Sequence, residues 1–144
     1  MVGAFATLHH VYDPSIFLGE AFRVLAPGGI LYTDHDIEAT FVRRFRLPLR
    51  LYRSLFDHGD EFLERCPEAS RVDYELSEYH GDRGLLAERL VGAAERAGFQ
   101  SAVVHCHWEG MGGASKLLGR MGMSERLARK GWAPVVRLIA RKAE

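Results

Sequence analysis

Long apolar runs are missing from this 144-residue chain, and no stretch approaches the roughly 20 residues that a membrane-spanning helix needs. Excess charge of either sign is missing too: 19 Lys and Arg balance 19 Asp and Glu. No global field draws such a chain to nucleic acid, and neither a nucleic-acid nor a membrane partner is expected. Cysteine is scarce. Cys66 and Cys106 match no CxxC or zinc-ligand spacing, which argues against a disulfide framework and suits reduced thiols in a cytoplasmic protein. The opening residues MVGAFATLHH lack the basic start of a secretory leader. No serine or cysteine has a base at a recognisable spacing, so covalent nucleophilic catalysis is not indicated.

What is present is an α/β pattern. Gly3 to Leu8, GAFATL, is a short apolar run suited to a buried strand. Asp13-Pro14 is a helix start, because an Asp N-cap takes a backbone amide and proline's missing N–H costs nothing in the first turn. Phe17, Ala21, Val24 and Leu25 follow at helical spacing, Pro27-Gly28-Gly29 stops the helix, and Ile30–Thr33 reads as a second strand. Strand, helix and strand in about thirty residues make a βαβ unit with parallel strands. Further on, Leu85 to Ala97 carries one apolar face and Gly98 is placed as its C′ cap. Residues 101–109 read as a strand, a Gly/Met-rich turn covers 110–114, a helix is expected from Ser115 to about Lys130, and Val135, Val136, Leu138 and Ile139 mark a last strand.

The charge is unevenly distributed along this frame. Residues 41–53 hold five arginines and no acid, residues 57–96 hold eleven acids against five arginines, and from Lys116 onward eight basic residues face two acids. Such blocks usually form solvated helix faces that complement one another. Between 37 and 80, Phe41, Val42, Phe45, Leu49, Tyr52 and Phe56 recur at helical spacing with the arginines between them and Pro48 interrupting. This segment reads as a helical insert. It can be a helix packed on the sheet with its arginines turned outward, a lid over an apolar or acidic substrate, or a basic amphipathic helix on a membrane surface.

The stretch LHHVYDPSIFLGEAFRVLAPGGILYTDHD, residues 8–36, resembles the middle of class I S-adenosylmethionine-dependent methyltransferases. The match rests on His9–His10, Asp13, Arg23-Val24-Leu25 and Pro27-Gly28-Gly29 at the family's spacings. LVGAAERAGF, residues 90–99, resembles the family's late helix, and PVVRLIARK its antiparallel final strand. The resemblance implies a partial Rossmann-like sheet over residues 1–144, a single incomplete domain holding the family's strands four to seven, mostly parallel with an antiparallel last strand, and a helical cap insert at about 37–80. The family's glycine-rich cofactor loop and the acid that holds the cofactor ribose would lie before this signature. The chain is therefore expected to be an N-terminally truncated form, inactive by itself, whose intact protein transfers a methyl group from S-adenosylmethionine to a small molecule. The alternative is a non-catalytic interaction module. Without its neighbour, the strand at residues 3–8 becomes an exposed edge able to pair in a homodimer or with a complementing chain.

By the same resemblance, Thr7, Leu8, His9 and His10 would line the cofactor, Thr7 and Leu8 through their backbone. Tyr12, Asp34, His35 and Asp36 would face the substrate. Strand alternation puts Asp34 and Asp36 on one face and His35 on the other, and a carboxylate beside an imidazole can accept a proton from a hydroxyl or amine nucleophile. No single catalytic residue follows from the sequence. No metal is expected: the Asp34–Asp36 run matches no ligand spacing, and strand packing and solvent exposure account for His105 and His107, which share a strand face. Trp108 and Trp132 read as core or edge aromatics.

Overall fold

The computed structural model describes residues 1–55, 63–77, 80, 83–110 and 112–144. Four strands, β1 (Val2–Phe5), β2 (Ile30–Ile37), β3 (Ser101–His107) and β4 (Val135–Arg141), form a sheet in the order β1-β2-β4-β3. β1 runs parallel to β2, and β4 runs antiparallel to both β2 and β3. The first three strands therefore share one direction and the last opposes them, as expected for this α/β sheet. β1 stands at the edge and pairs Val2 with Leu31 through Phe5 with Asp34.

Its strand is shorter than residues 3–8. Ala6 takes φ 49°, a left-handed conformation that ends the extended chain, and Leu8–His10 then make one turn of 3-10 helix. Leu8 is fully buried there, under the sheet's helical face.

The βαβ unit forms for the reasons its residues give. Asp13 accepts from the Ser15 amide at 2.9 Å, Pro14 occupies the first turn, and α1 runs Pro14–Val24. At its far end the Lys142 ammonium donates to the carbonyls of Phe22 and Leu25, each at 2.8 Å, so a cation from β4's tail satisfies the helix terminus. The Gly29 amide closes the turn on the Ala26 carbonyl before β2 begins.

Helices α2 (Ala39–Arg44), α3 (Arg46–Leu55) and α4 (Arg71–Ser77) occupy the described part of the insert. Phe56 lies outside the described residues, as does the side chain of Tyr52. Helix α5 (Ala87–Ala97) ends at Gly98 with φ 106°, where an added Cβ would sit 2.8 Å from the Phe22 ring. The helix expected over 115–130 is two helices, α6 (Gly112–Arg120) and α7 (Ser124–Arg129), separated at Gly122 with φ 63°. A left-handed glycine breaks the helical path there.

Leu18, Ala21 and Leu25 of α1 meet Ala93 and Ala94 of α5 over Leu31, Leu138 and Ala140 of the sheet, with Phe99 closing the cluster. Burial of each large aliphatic side chain contributes about 1.5–3 kcal/mol, and this layer fixes one face of the sheet. The opposite face carries Phe5, Val103 and Ile139 exposed, together with a polar group from three strands.

Candidate functional site

Two polar clusters are built where β1 and β2 end. The carboxyl edge of a parallel pair is where open α/β sheets place ligand chemistry.

The first joins the 3-10 turn to β2. Asp36 is 1% exposed, and its Oδ1 accepts from the His9 backbone N–H at 3.0 Å and lies 2.9 Å from His9 Nδ1. Its Oδ2 is buried without a hydrogen-bond partner among the described residues. A carboxylate that already accepts the amide acts as acceptor toward the ring as well, so Nδ1 carries the imidazole proton and the lone pair resides on Nε2. His10 stacks on His9 in a tilted arrangement, ring centroids 3.9 Å apart.

The second cluster centres on Asp34, 2% exposed. Its Oδ2 accepts from the Tyr32 hydroxyl at 2.7 Å and from Arg137 Nε at 2.8 Å, while Oδ1 accepts from the His35 backbone N–H at 2.8 Å and lies 2.8 Å from His107 Nε2. Arg137 also donates to Glu109 at 2.6 Å. The Glu109 amide donates to His107 Nδ1 at 3.1 Å, so His107 carries its proton on Nε2, facing Asp34.

Burial pushes the Asp34 carboxyl upward, but the bonds from Tyr32, Arg137, the His35 amide and His107 outweigh it and hold the group well below the usual carboxylate range. Burial depresses His107, against the upward pull of Asp34. Arg137 is raised, chiefly by its bond to Glu109. Burial and the nearby Glu38 push the Cys106 thiol up to about 11, leaving an inert thiol.

Asp34 and Asp36 do not share one partner set, contrary to strand alternation. The β2–β4 register shifts between Thr33 and Asp36, and His35 takes φ 63°. This bulge re-aims the chain within two residues, a known use of bulges next to sites. Asp34 joins Tyr32, His107 and Arg137, and Asp36 turns to His9. His35 stacks on Phe5 with centroids 4.1 Å apart and meets His107 edge-on at 5.9 Å.

The remaining expected residues are spread around this edge. Thr7 donates its hydroxyl to the Phe5 carbonyl at 2.9 Å. The Thr7 and Leu8 carbonyls accept from the His10 and Val11 amides inside the turn, and the Leu8 side chain points into the core. Tyr12 is exposed and its carbonyl lies 3.0 Å from His80 Nε2. Tyr32, His107, Glu109 and Arg137 were not legible as site residues. The available signal was Tyr32 and Asp34, two residues apart and so facing the same way on β2. Among the described residues, no group of three or more His, Cys, Asp or Glu side chains could hold a metal ion, and no helix is long and apolar enough to cross a membrane.

Comparison with known proteins bears on the family. Residues 1–33 match the methyltransferase domain family. A probable S-adenosylmethionine-dependent methyltransferase of Mycolicibacterium smegmatis is 31% identical over 108 residues, which is 73% of this chain and 42% of the relative. The fold is similar to that of Haemonchus contortus phosphoethanolamine N-methyltransferase 2, solved with phosphomonomethylethanolamine and S-adenosylhomocysteine. There the TM-score is 0.51 at 15% identity, covering 99% of this chain and 33% of that one. The chain thus spans less than half the length of the curated relative. The family match and the relative support a class I S-adenosylmethionine-dependent methyltransferase, and the fold is consistent with it.

Proposed function

We propose that this chain forms the acceptor side of a methyl-transfer site, in a protein that moves the methyl group of S-adenosylmethionine to a small molecule. The observation that carries the reading is the His9–Asp36 pair at the end of β1 and β2, with its 2.9 Å contact and its buried carboxylate. Asp36 orients the imidazole and fixes its tautomer, and Nε2 accepts the proton of an N–H or O–H nucleophile as that atom attacks the methyl carbon. With the methyl donor bound, the proton released by the nucleophile would pass to His9. Much of the rate comes from holding nucleophile and methyl group in line, which is the role assigned to the edge formed by His10, Tyr12 and His35.

The cofactor fits this edge in part. The buried Asp36 Oδ2, which has no hydrogen-bond partner among the described residues, offers an acceptor toward a cation or hydroxyl, and the 3-10 turn presents His9 and His10. The Leu8 side chain is committed to the core. When bound, S-adenosylmethionine supplies the electrophilic methyl group. This chain's residues orient the acceptor and take its proton.

The test is an amide-resolved titration with S-adenosylhomocysteine, performed on the intact protein that carries this chain. Shifts concentrated at Ala6–Val11 and His35–Asp36 support the reading. Saturable binding that leaves these residues unmoved overturns it.

A second reading rests on β1 being an edge strand. Its outer side can pair with a second copy or a complementing chain, a non-catalytic use of the same element. Light scattering that reports a dimer, dissolved by proline at Gly3, supports that reading, and a monodisperse monomer opposes it.

A further inference from the structure

On the insert, Phe41 and Val42 turn inward and are buried, and Phe45 and Leu49 are half-buried, but helix α3 carries a second apolar side that the periodicity did not single out. Leu47, Leu51 and Leu55 are 79%, 64% and 69% exposed. Residues four apart advance by about 40° around a helix, so the three leucines form one stripe. Arg46 and Arg50, both exposed, flank that stripe on one side. Residues 39–55 contain five arginines and no acid.

A second element repeats the pattern. On α6 and just past its end, Leu117 and Met121 are exposed four residues apart, beside exposed Lys116 and Arg120. Residues 112–130 hold five basic residues against Glu125 alone. The end of α2 meets the turn after α7: Arg44 Nη1 donates to the Lys130 carbonyl at 3.0 Å, its guanidinium lies 5.5 Å from the Trp132 ring centroid, and Phe45 packs edge-on to Trp132 at 5.9 Å. Trp132 itself is 39% exposed, the amphipathic kind of ring that settles at a lipid–water boundary.

We propose that α3, with further basic charge from α6 and α7, docks on the surface of an anionic lipid bilayer. The leucine stripe enters the headgroup–acyl boundary while the arginines and lysines contact anionic headgroups. Charge complementarity selects this occupant. A surface this basic and nearly free of acid opposes a second copy of itself, and a nucleic acid would leave the leucines in water. The inference does not rest on methyl transfer. It replaces the expectation of no membrane partner, which balanced bulk charge suggested and the clustering of that charge removes.

The test is co-sedimentation of the full chain with phosphatidylserine-rich vesicles and with pure phosphatidylcholine vesicles, at low and high salt. Binding to the first only, weakened by salt, is expected. Arg46→Gln with Arg50→Gln should lower the partition coefficient about tenfold or more. Replacing Leu47, Leu51 and Leu55 by serine should lower it by roughly a hundredfold. All five side chains are exposed, so circular dichroism should report unchanged helix content. Absence of binding by the folded wild-type chain overturns the proposal, as does binding that neither variant weakens. A dimer in light scattering that the serine variant dissolves also overturns it, because the stripe is then covered by a second copy.

Discussion

Asp36 holds His9 by two atoms at once, its Oδ1 lying 3.0 Å from the backbone nitrogen and 2.9 Å from Nδ1. The backbone contact fixes where the turn sits, and the ring contact fixes which nitrogen keeps its proton. Asp36→Asn should keep the first contact and loosen the second. Nitrogen-resolved NMR of the imidazole should show a pure Nδ1–H tautomer in the wild-type chain and a mixture of tautomers in the variant. An unchanged tautomer would mean that another group orients His9.

Asp34→Asn removes the charge that Arg137 and His107 face across three strands. Truncating one member of a buried charged pair is costly because the other stays uncompensated, so a loss of about 3 kcal/mol is expected. Urea unfolding followed by circular dichroism reads this as a lower midpoint at an unchanged slope.

The same cluster sets a pH dependence. His107 is depressed in the folded chain, so below about 6.5, its ordinary value, the unfolded chain takes up a proton that the folded chain refuses. Its contribution is complete above that pH and declines as the solution is acidified. Asp34 is also depressed, and its contribution is lost only as pH falls below its ordinary 3.8 and onward through the folded value. Thermal midpoints measured from pH 8 down into the strongly acid range should fall in two stages. His107→Gln should flatten the first stage relative to wild type and leave the second.

Gly84 takes φ 71°, and a Cβ there would lie 2.5 Å from the Ala39 Cα at the start of α2. Backbone rather than a flexible side-chain tip stands in the way, so Gly84→Ala should cost about 2–3 kcal/mol through strain and displacement of α2. The denaturation midpoint checks this. A neutral result would show that α2 yields easily.

What the sequence made legible was local. Asp13-Pro14 capped α1, Pro27-Gly28-Gly29 ended it, Gly98 closed α5, and the LHH and PGG spacings carried the family. Each depends on neighbours within a turn or two, where residue chemistry decides the backbone. The Asp34 cluster was hidden because His107 and Arg137 lie 73 and 103 positions further along the chain, and only the β3–β4–β2 register brings them together. The bulge at His35 was hidden for a related reason. Alternation assumes an unbroken ladder, and nothing in Asp-His-Asp shows that pairing skips there. The exposed stripe of Leu47, Leu51 and Leu55 was not legible, since the helical spacing of Phe41, Val42, Phe45 and Leu49 marks the side that turns inward.

The measurement closest to the central claim is methyl release from S-adenosylmethionine by the protein, wild type against His9→Gln, with S-adenosylhomocysteine affinity determined alongside. Removing a general base costs about 10²–10⁴ in rate. Turnover should fall by at least about a hundredfold, while S-adenosylhomocysteine affinity changes little. Equal turnover in the two proteins would contradict the assignment of His9 as the proton acceptor.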